Sequence, residues 1–85
     1  MKPETMRMLE EWRTNSFEPK QGIIVTRDYS CGDDNSIELM WFANYQRDGV
    51  DHTLCYKISN IADDITAINI KIDVAEKVDL NKLIH

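Results

Sequence analysis

Ser36-Ile37-Glu38-Leu39-Met40-Trp41-Phe42-Ala43-Asn44-Tyr45, then Gln46-Arg47-Asp48-Gly49, then Val50-Asp51-His52-Thr53-Leu54-Cys55-Tyr56-Lys57-Ile58-Ser59 is the stretch that decides the fold. Two runs rich in β-branched and aromatic residues flank Asp48-Gly49, a dipeptide that readily supplies the positive φ angles of a tight hairpin turn. On the outgoing run Ile37, Leu39, Trp41, Ala43 and Tyr45 are apolar or aromatic; on the return run Val50, Leu54, Tyr56 and Ile58 continue the pattern. A side-chain period of two puts each set on one face of a strand. The stretch therefore predicts the central hairpin of an antiparallel sheet.

Working outward towards the N-terminus, residues 3–14 predict a helix. Pro3 suits the first helical position and Glu4 the positive end of the helix dipole. Thr5, Met8, Leu9 and Trp12 fall at helical spacing and form one stripe. Residues 17–21 read as a connector. Gly22 to Tyr29 predicts a strand on its β-branched run Ile23-Ile24-Val25-Thr26, whose blurred alternation suggests burial on both faces or a central position. Asp28 to Asn35 reads as a loop, with Asp33, Asp34 and Asn35 as turn formers.

Towards the C-terminus, Asn60 to Asp64 predicts a polar turn. Ile65 to Ala75 alternates Ile68, Ile70, Ile72 and Val74 against Ala67, Asn69, Lys71 and Asp73, and so reads as a fourth strand with one wet face. Residues 79–85 read as a short helical turn capped by Asp79. Short connections favour neighbouring antiparallel strands. The expected fold is α+β: an N-terminal helix packed on one face of a four-stranded antiparallel meander. Its expected core is Leu9, Trp12, Leu39, Trp41, Leu54, Tyr56, Ile68, Ile70 and Ile72.

The 85 residues are enough for one domain, which at this size buries a little over about 60% of the unfolded chain's surface. One thin core fits; a large enclosed cavity does not. A hydrophobic content of 42% with 29% charged residues is ordinary for a folded domain and argues against disorder. The net charge of −5 opposes generic affinity for phosphate backbones or anionic lipid. The N-terminal run Met1 to Glu11 has no apolar core of the kind a secretory signal carries, and no apolar run approaches the roughly 18 residues of a membrane span. A cytoplasmic location is the default expectation, and with it Cys31 and Cys55 read as thiols.

No catalytic pattern emerges from the sequence. The three glycines stand far apart, which excludes a Gly-rich phosphate loop. Asp51-His52 is adjacent along a predicted strand and so points to opposite faces. Cys31-Gly-Asp-Asp-Asn-Ser is rich in oxygen but lacks the ligand alternation and distal Glu of a calcium loop. The aromatic residues could form a base-stacking platform, but Asp28, Glu38 and Asp51 give that face the wrong field. The expectation is a protein without enzymatic activity, cofactor or metal.

Two features point to binding. If the helix covers the Trp41 face, Met40 and Phe42 are left on the other face of the sheet with Cys55 near them. In a meander, the loops joining strands one and two and strands three and four share one end, which gathers Asp28, Asp33, Asp34, Asp63 and Asp64. An acidic rim beside an apolar patch fits a basic protein surface. The expected function is a small non-catalytic inhibitor or adaptor, in character like immunity, antitoxin or anti-defence proteins. Its partner would be a basic protein, including one that handles nucleic acid, with no direct binding of nucleic acid or membrane. The alternatives are a homodimer or larger homo-oligomer with a ligand or catalytic site between subunits, and a structural subunit of a larger assembly.

Overall fold

In a computed structural model that describes residues 1–77, the chain runs α1 (Pro3–Thr14), β1 (Phe17–Lys20), β2 (Ile23–Cys31), β3 (Ile37–Arg47), β4 (Val50–Ile61) and α2 (Ile65–Glu76). The four strands form one antiparallel sheet in the order β1-β2-β3-β4. The expected α+β meander is present. The short turn read at residues 79–85 lies outside the described residues.

The central hairpin forms as its residues dictate. Asp48 and Gly49 adopt φ angles of 53° and 77°, the two positive values of a type I′ turn, whose twist matches that of the flanking strands. Arg47 closes on Val50, and the register then runs Tyr45↔His52, Ala43↔Leu54 and Trp41↔Tyr56. Ile37, Leu39, Trp41 and Ala43 are buried, while Glu38, Met40, Phe42 and Asn44 between them are half-buried. The alternation read from the sequence is therefore the alternation of burial.

α1 starts on Pro3 and ends where Asn15 turns extended. Its stripe puts Thr5 and Leu9 out of solvent, with Met8 and Trp12 packed beside them. Trp12 meets Trp41 edge-on at 5.4 Å between ring centroids, a favoured arrangement for aromatic rings. The Tyr29 hydroxyl donates to the Glu10 carboxylate. That acceptor, and then burial, hold the Tyr29 phenol above its ordinary range.

Two elements differ from the sequence reading. The connector at 17–21 contains the edge strand β1, whose Phe17 pairs with Val25 and Lys20 with Ile23 around a turn with Gly22 at φ 86°. Pro19 is tolerated there because an edge strand need not use every N–H. The segment Ile65 to Ala75 is the helix α2, not a strand. Asp64 caps it by accepting from the Ala67 N–H at 3.0 Å. The alternating isoleucines satisfy two periods at once: Ile68 and Ile72 lie four apart, and Ala75 completes a helical stripe. Those three are buried, whereas Ile70 and Val74 are 56% and 60% exposed.

The core list changes accordingly. Ile70 is outside it, and Trp12, Leu54 and Tyr56 are only partly buried against it. Ile37, Val25 and Ile61 belong to it. On β2, Ile23 and Val25 point inward and Ile24 is 47% exposed, so this strand is buried on one face and not two, while it does take a central position between β1 and β3. Both helices contribute to a core with the Trp41 face of β3, which leaves the opposite face to the surface.

The α2 assignment has a measurable consequence. Ile68→Ala removes a fully buried side chain and is expected to cost about 2–5 kcal/mol. Ile70→Ala changes an exposed helical position and is expected to stay within roughly 0.5 kcal/mol of the parent. Urea unfolding of both variants checks this; equal losses would restore a strand with both residues on one face.

Candidate protein-binding surface

The register lays out the outer sheet face row by row. Ile24, Asn44 and Thr53 form one row; Thr26, Phe42 and Cys55 the next; Asp28, Met40 and Lys57 the third. Ser30 and Glu38 follow, with Ser59 donating its hydroxyl to Glu38 at 2.7 Å. Among the described residues no element lies over this face. Met40 and Phe42 sit at its centre on β3, half-buried.

The polar residues around the patch are held in place by one another. Asn44 donates to the Ile24 carbonyl at 3.2 Å and to the Phe42 carbonyl at 3.1 Å, and accepts from the Thr53 hydroxyl at 3.0 Å. Lys57 lies 4.0 Å from Glu38. Among the described residues of β2 to β4, Asp28, Glu38, Asp51 and Lys57 stand on this face and Arg13 reaches Asp28 from α1, so a small acidic excess remains. Ile24, Thr26, Asn44 and Thr53 did not stand out in the sequence; the register that brings them beside Phe42 requires knowing the β2 partner.

The aspartates divide. Cys31 pairs with Ile37 and Ile37 with Ile61, so the β2–β3 turn and the start of α2 share one end of the sheet. Asp33, Asp34, Asp63 and Asp64 stand at that end. The second loop is the β4–α2 connection rather than a link between two strands. Asp28 does not join them: it pairs with Met40, three positions before Cys31, and Arg13 of α1 reaches it at 3.7 Å.

Three of the four also build local structure. Asp34 accepts from the Ser36 hydroxyl at 2.6 Å and the Ser36 N–H at 3.1 Å; those bonds, the hydroxyl first, hold its carboxyl below the ordinary range. Asp64 caps α2. Asp63 accepts from the Lys2 N–H at 2.8 Å. The Thr5 hydroxyl beside it, and behind that the Lys2 N–H, hold the Asp63 carboxyl below the ordinary range. Asp33 is exposed at the tip of the turn.

Other candidate positions resolve into structure. His52 stacks on Tyr45 at 5.3 Å, while Asp51 accepts from Gln46 at 2.9 Å on the opposite face. Both border an open depression of about 620 Å³ at the turn end of the hairpin, with Ile24 and Asn44 on its far side. Asn44, Gln46, Asp51 and Thr53 on its lining are hydrogen-bonded to one another or to backbone. Cys31 and Cys55 are exposed and unbridged. Among the described residues no group of three or more His, Cys, Asp or Glu side chains could hold a metal ion, and no helix is long and apolar enough to cross a membrane. Comparison of the chain with protein-family models, with curated proteins and with solved structures finds no match.

The lowered carboxyls set an acid limit. A group whose folded pKa lies below its unfolded value contributes stability above the unfolded pKa, near about 3.9 for Asp, and loses it as pH falls through the folded value. Asp63 ties the start of α1 to the start of α2 by this route. Asp63→Asn is therefore expected to lower stability at neutral pH and to flatten its fall below about pH 4. Urea midpoints measured across that range check the sign; an unchanged acid slope would remove Asp63 from the account.

Proposed function

We propose that this chain is a small, non-catalytic, cytoplasmic protein-binding module that acts as an acidic inhibitor or adaptor of a basic protein. The observation that carries the reading is the outer sheet face: Met40 and Phe42 stand at its centre with neither helix over them. A partly exposed apolar patch within a polar frame fits a contact surface. The small acidic excess on that face, the aspartate end beside it and the chain's net charge of −5 favour a basic partner, including one that handles nucleic acid.

The roles of rim and patch differ. Charge at the rim mainly speeds encounter, while a desolvated aromatic anchor mainly slows departure. Asp33→Asn is the clean rim variant, because Asp34, Asp63 and Asp64 also hold turns and caps. Phe42→Ala is the patch variant. The test immobilises the parent chain and Phe42→Ala in parallel and identifies what the parent alone retains from a lysate. The retained protein is then purified for kinetics. A basic protein is expected, with Asp33→Asn lowering its on-rate and the salt dependence of that rate. Phe42→Ala is expected to raise the off-rate by roughly thirty-fold, the equivalent of about 2 kcal/mol. Equal retention by both chains, or retention of acidic proteins only, would overturn the reading.

A further inference from the structure

The two edges of the sheet are built differently. β1 is four residues long, carries Pro19 and shifts register between Phe17 and Lys20; such features blunt an edge against further pairing. β4 has 12 residues and no proline, and no described strand pairs with its outer side. Its one interruption is a register shift near its end, where Ile58 pairs with Leu39 but Ile61 pairs with Ile37 and Asn60 adopts φ 59°. Val50 to Ile58 is thus unbroken.

The hairpin turn fixes which groups of β4 face outward. A type I′ turn closes with the Val50 N–H on the Arg47 carbonyl. Hydrogen-bonded and non-hydrogen-bonded pairs then alternate along the ladder. Val50, His52, Leu54, Tyr56 and Ile58 therefore bond to β3, while Asp51, Thr53, Cys55 and Lys57 present their N–H and C=O groups to the open edge. The charges of this segment all lie on the outer face; its helix-side residues are Val50, His52, Leu54, Tyr56 and Ile58, with Val50 57% exposed. No inward charge guards the edge.

We infer that β4 pairs antiparallel with β4 of a second copy of this chain, joining two sheets into one of eight strands. The unbroken segment Val50 to Ile58 has Leu54 at its midpoint, so full overlap sets Leu54 opposite Leu54 across a two-fold axis. In that register Asp51 stands opposite Lys57, and symmetry makes the charge pair twice. Thr53 meets Cys55 between them. On the helix side Val50 meets Ile58 and His52 meets Tyr56. Moving the axis to Cys55 puts Lys57 opposite Thr53; moving it to Thr53 puts Lys57 opposite Gly49. Only the register centred on Leu54 pairs both charges, which is why a second copy is the occupant of this edge. The axis stands perpendicular to the sheet, so both α2 helices, each with Ile70 and Val74 exposed, flank the junction on one side. Both Met40/Phe42 patches share the other.

Charge exchange tests the register. Sedimentation equilibrium of the full chain is expected to show a species of twice the 9.9 kDa chain mass at high concentration. Lys57→Glu places like charges opposite Asp51 twice, and Asp51→Lys does the same with Lys57; each alone is expected to weaken the dimer roughly ten-fold or more. Mixed together, the two variants present only opposite charges across the axis, so a heterodimer of near-parental affinity is expected. Both positions are exposed, and circular dichroism of each variant checks that the fold persists. Amide exchange gives a second measurement: slowing at Asp51, Thr53, Cys55 and Lys57 as concentration rises. A parent chain that stays monomeric, whether its edge is free or filled by its own C-terminal residues, overturns the inference. So does a dimer indifferent to Lys57→Glu, or a mixture that does not recover. None of these outcomes touches the reading of the outer face, because Phe42 lies on the flat of the sheet and not at its edge.

Discussion

Arg27 holds the two layers together. It sits on the inner side of β2, opposite Trp41 in the ladder, with its side chain only 10% exposed. A buried charge has to be paired and hydrogen-bonded to be tolerated. Its guanidinium donates to the Asn15 carbonyl at 2.6 Å and to the Glu76 carboxylate. It lies over Phe17 at 4.6 Å and against Trp12 at 5.6 Å. One side chain thus touches the end of α1, the start of β1 and the end of α2. Glu76 receives the Trp12 indole N–H as well, at 3.4 Å. A flat, forked cation that stacks and donates together meets these demands, and a lysine would meet only the charge.

This arrangement explains which parts of the fold were legible in the sequence. The hairpin was, because Asp48-Gly49 and a strict period of two are local signals that need no partner. α1 was, because its stripe and its proline are equally local. The segment from Ile65 reads as a strand because Ile68, Ile70, Ile72 and Val74 are β-branched and alternate, while only the cap at Asp64 and the end-point Glu76 signal a helix. Glu76 acquires its meaning from Arg27, 49 positions earlier, and a pattern confined to one window contains no such information. β1 was missed for a similar reason: four residues with a proline have no periodicity, and they are a strand because Val25 and Ile23 offer them an edge.

The surface was legible in its parity and not in its neighbours. That Met40 and Phe42 would oppose the Trp41 face follows from their even positions alone. The gathering of Asp33, Asp34, Asp63 and Asp64 followed from connectivity, and it survives the change of the second loop because β4 ends beside the start of β3 whatever comes next. Asp28 was misplaced because the strand runs on to Cys31, two residues beyond the predicted end. The structural duties of Asp34 and Asp64 are local, through Ser36 and Ala67, whereas that of Asp63 was hidden, since its Lys2 donor lies 61 positions away.

The contact between Trp12 and Glu76 joins residues 64 positions apart, whereas the hairpin closes across two. Loop-closure entropy grows by about 0.6 kcal/mol per doubling of length. Five doublings separate these closures, so docking the helices on each other from an open chain would cost roughly 3 kcal/mol more than closing the hairpin. The meander removes most of that difference. Once β2, β3 and β4 are paired, α1 has only to fold back over β2, and α2 follows β4 after three residues. Each remaining closure is short. The sheet is in this sense a template on which the helix layer condenses, through Leu9, Ile68 and Ile72 in the core as well as through the Arg27 guanidinium.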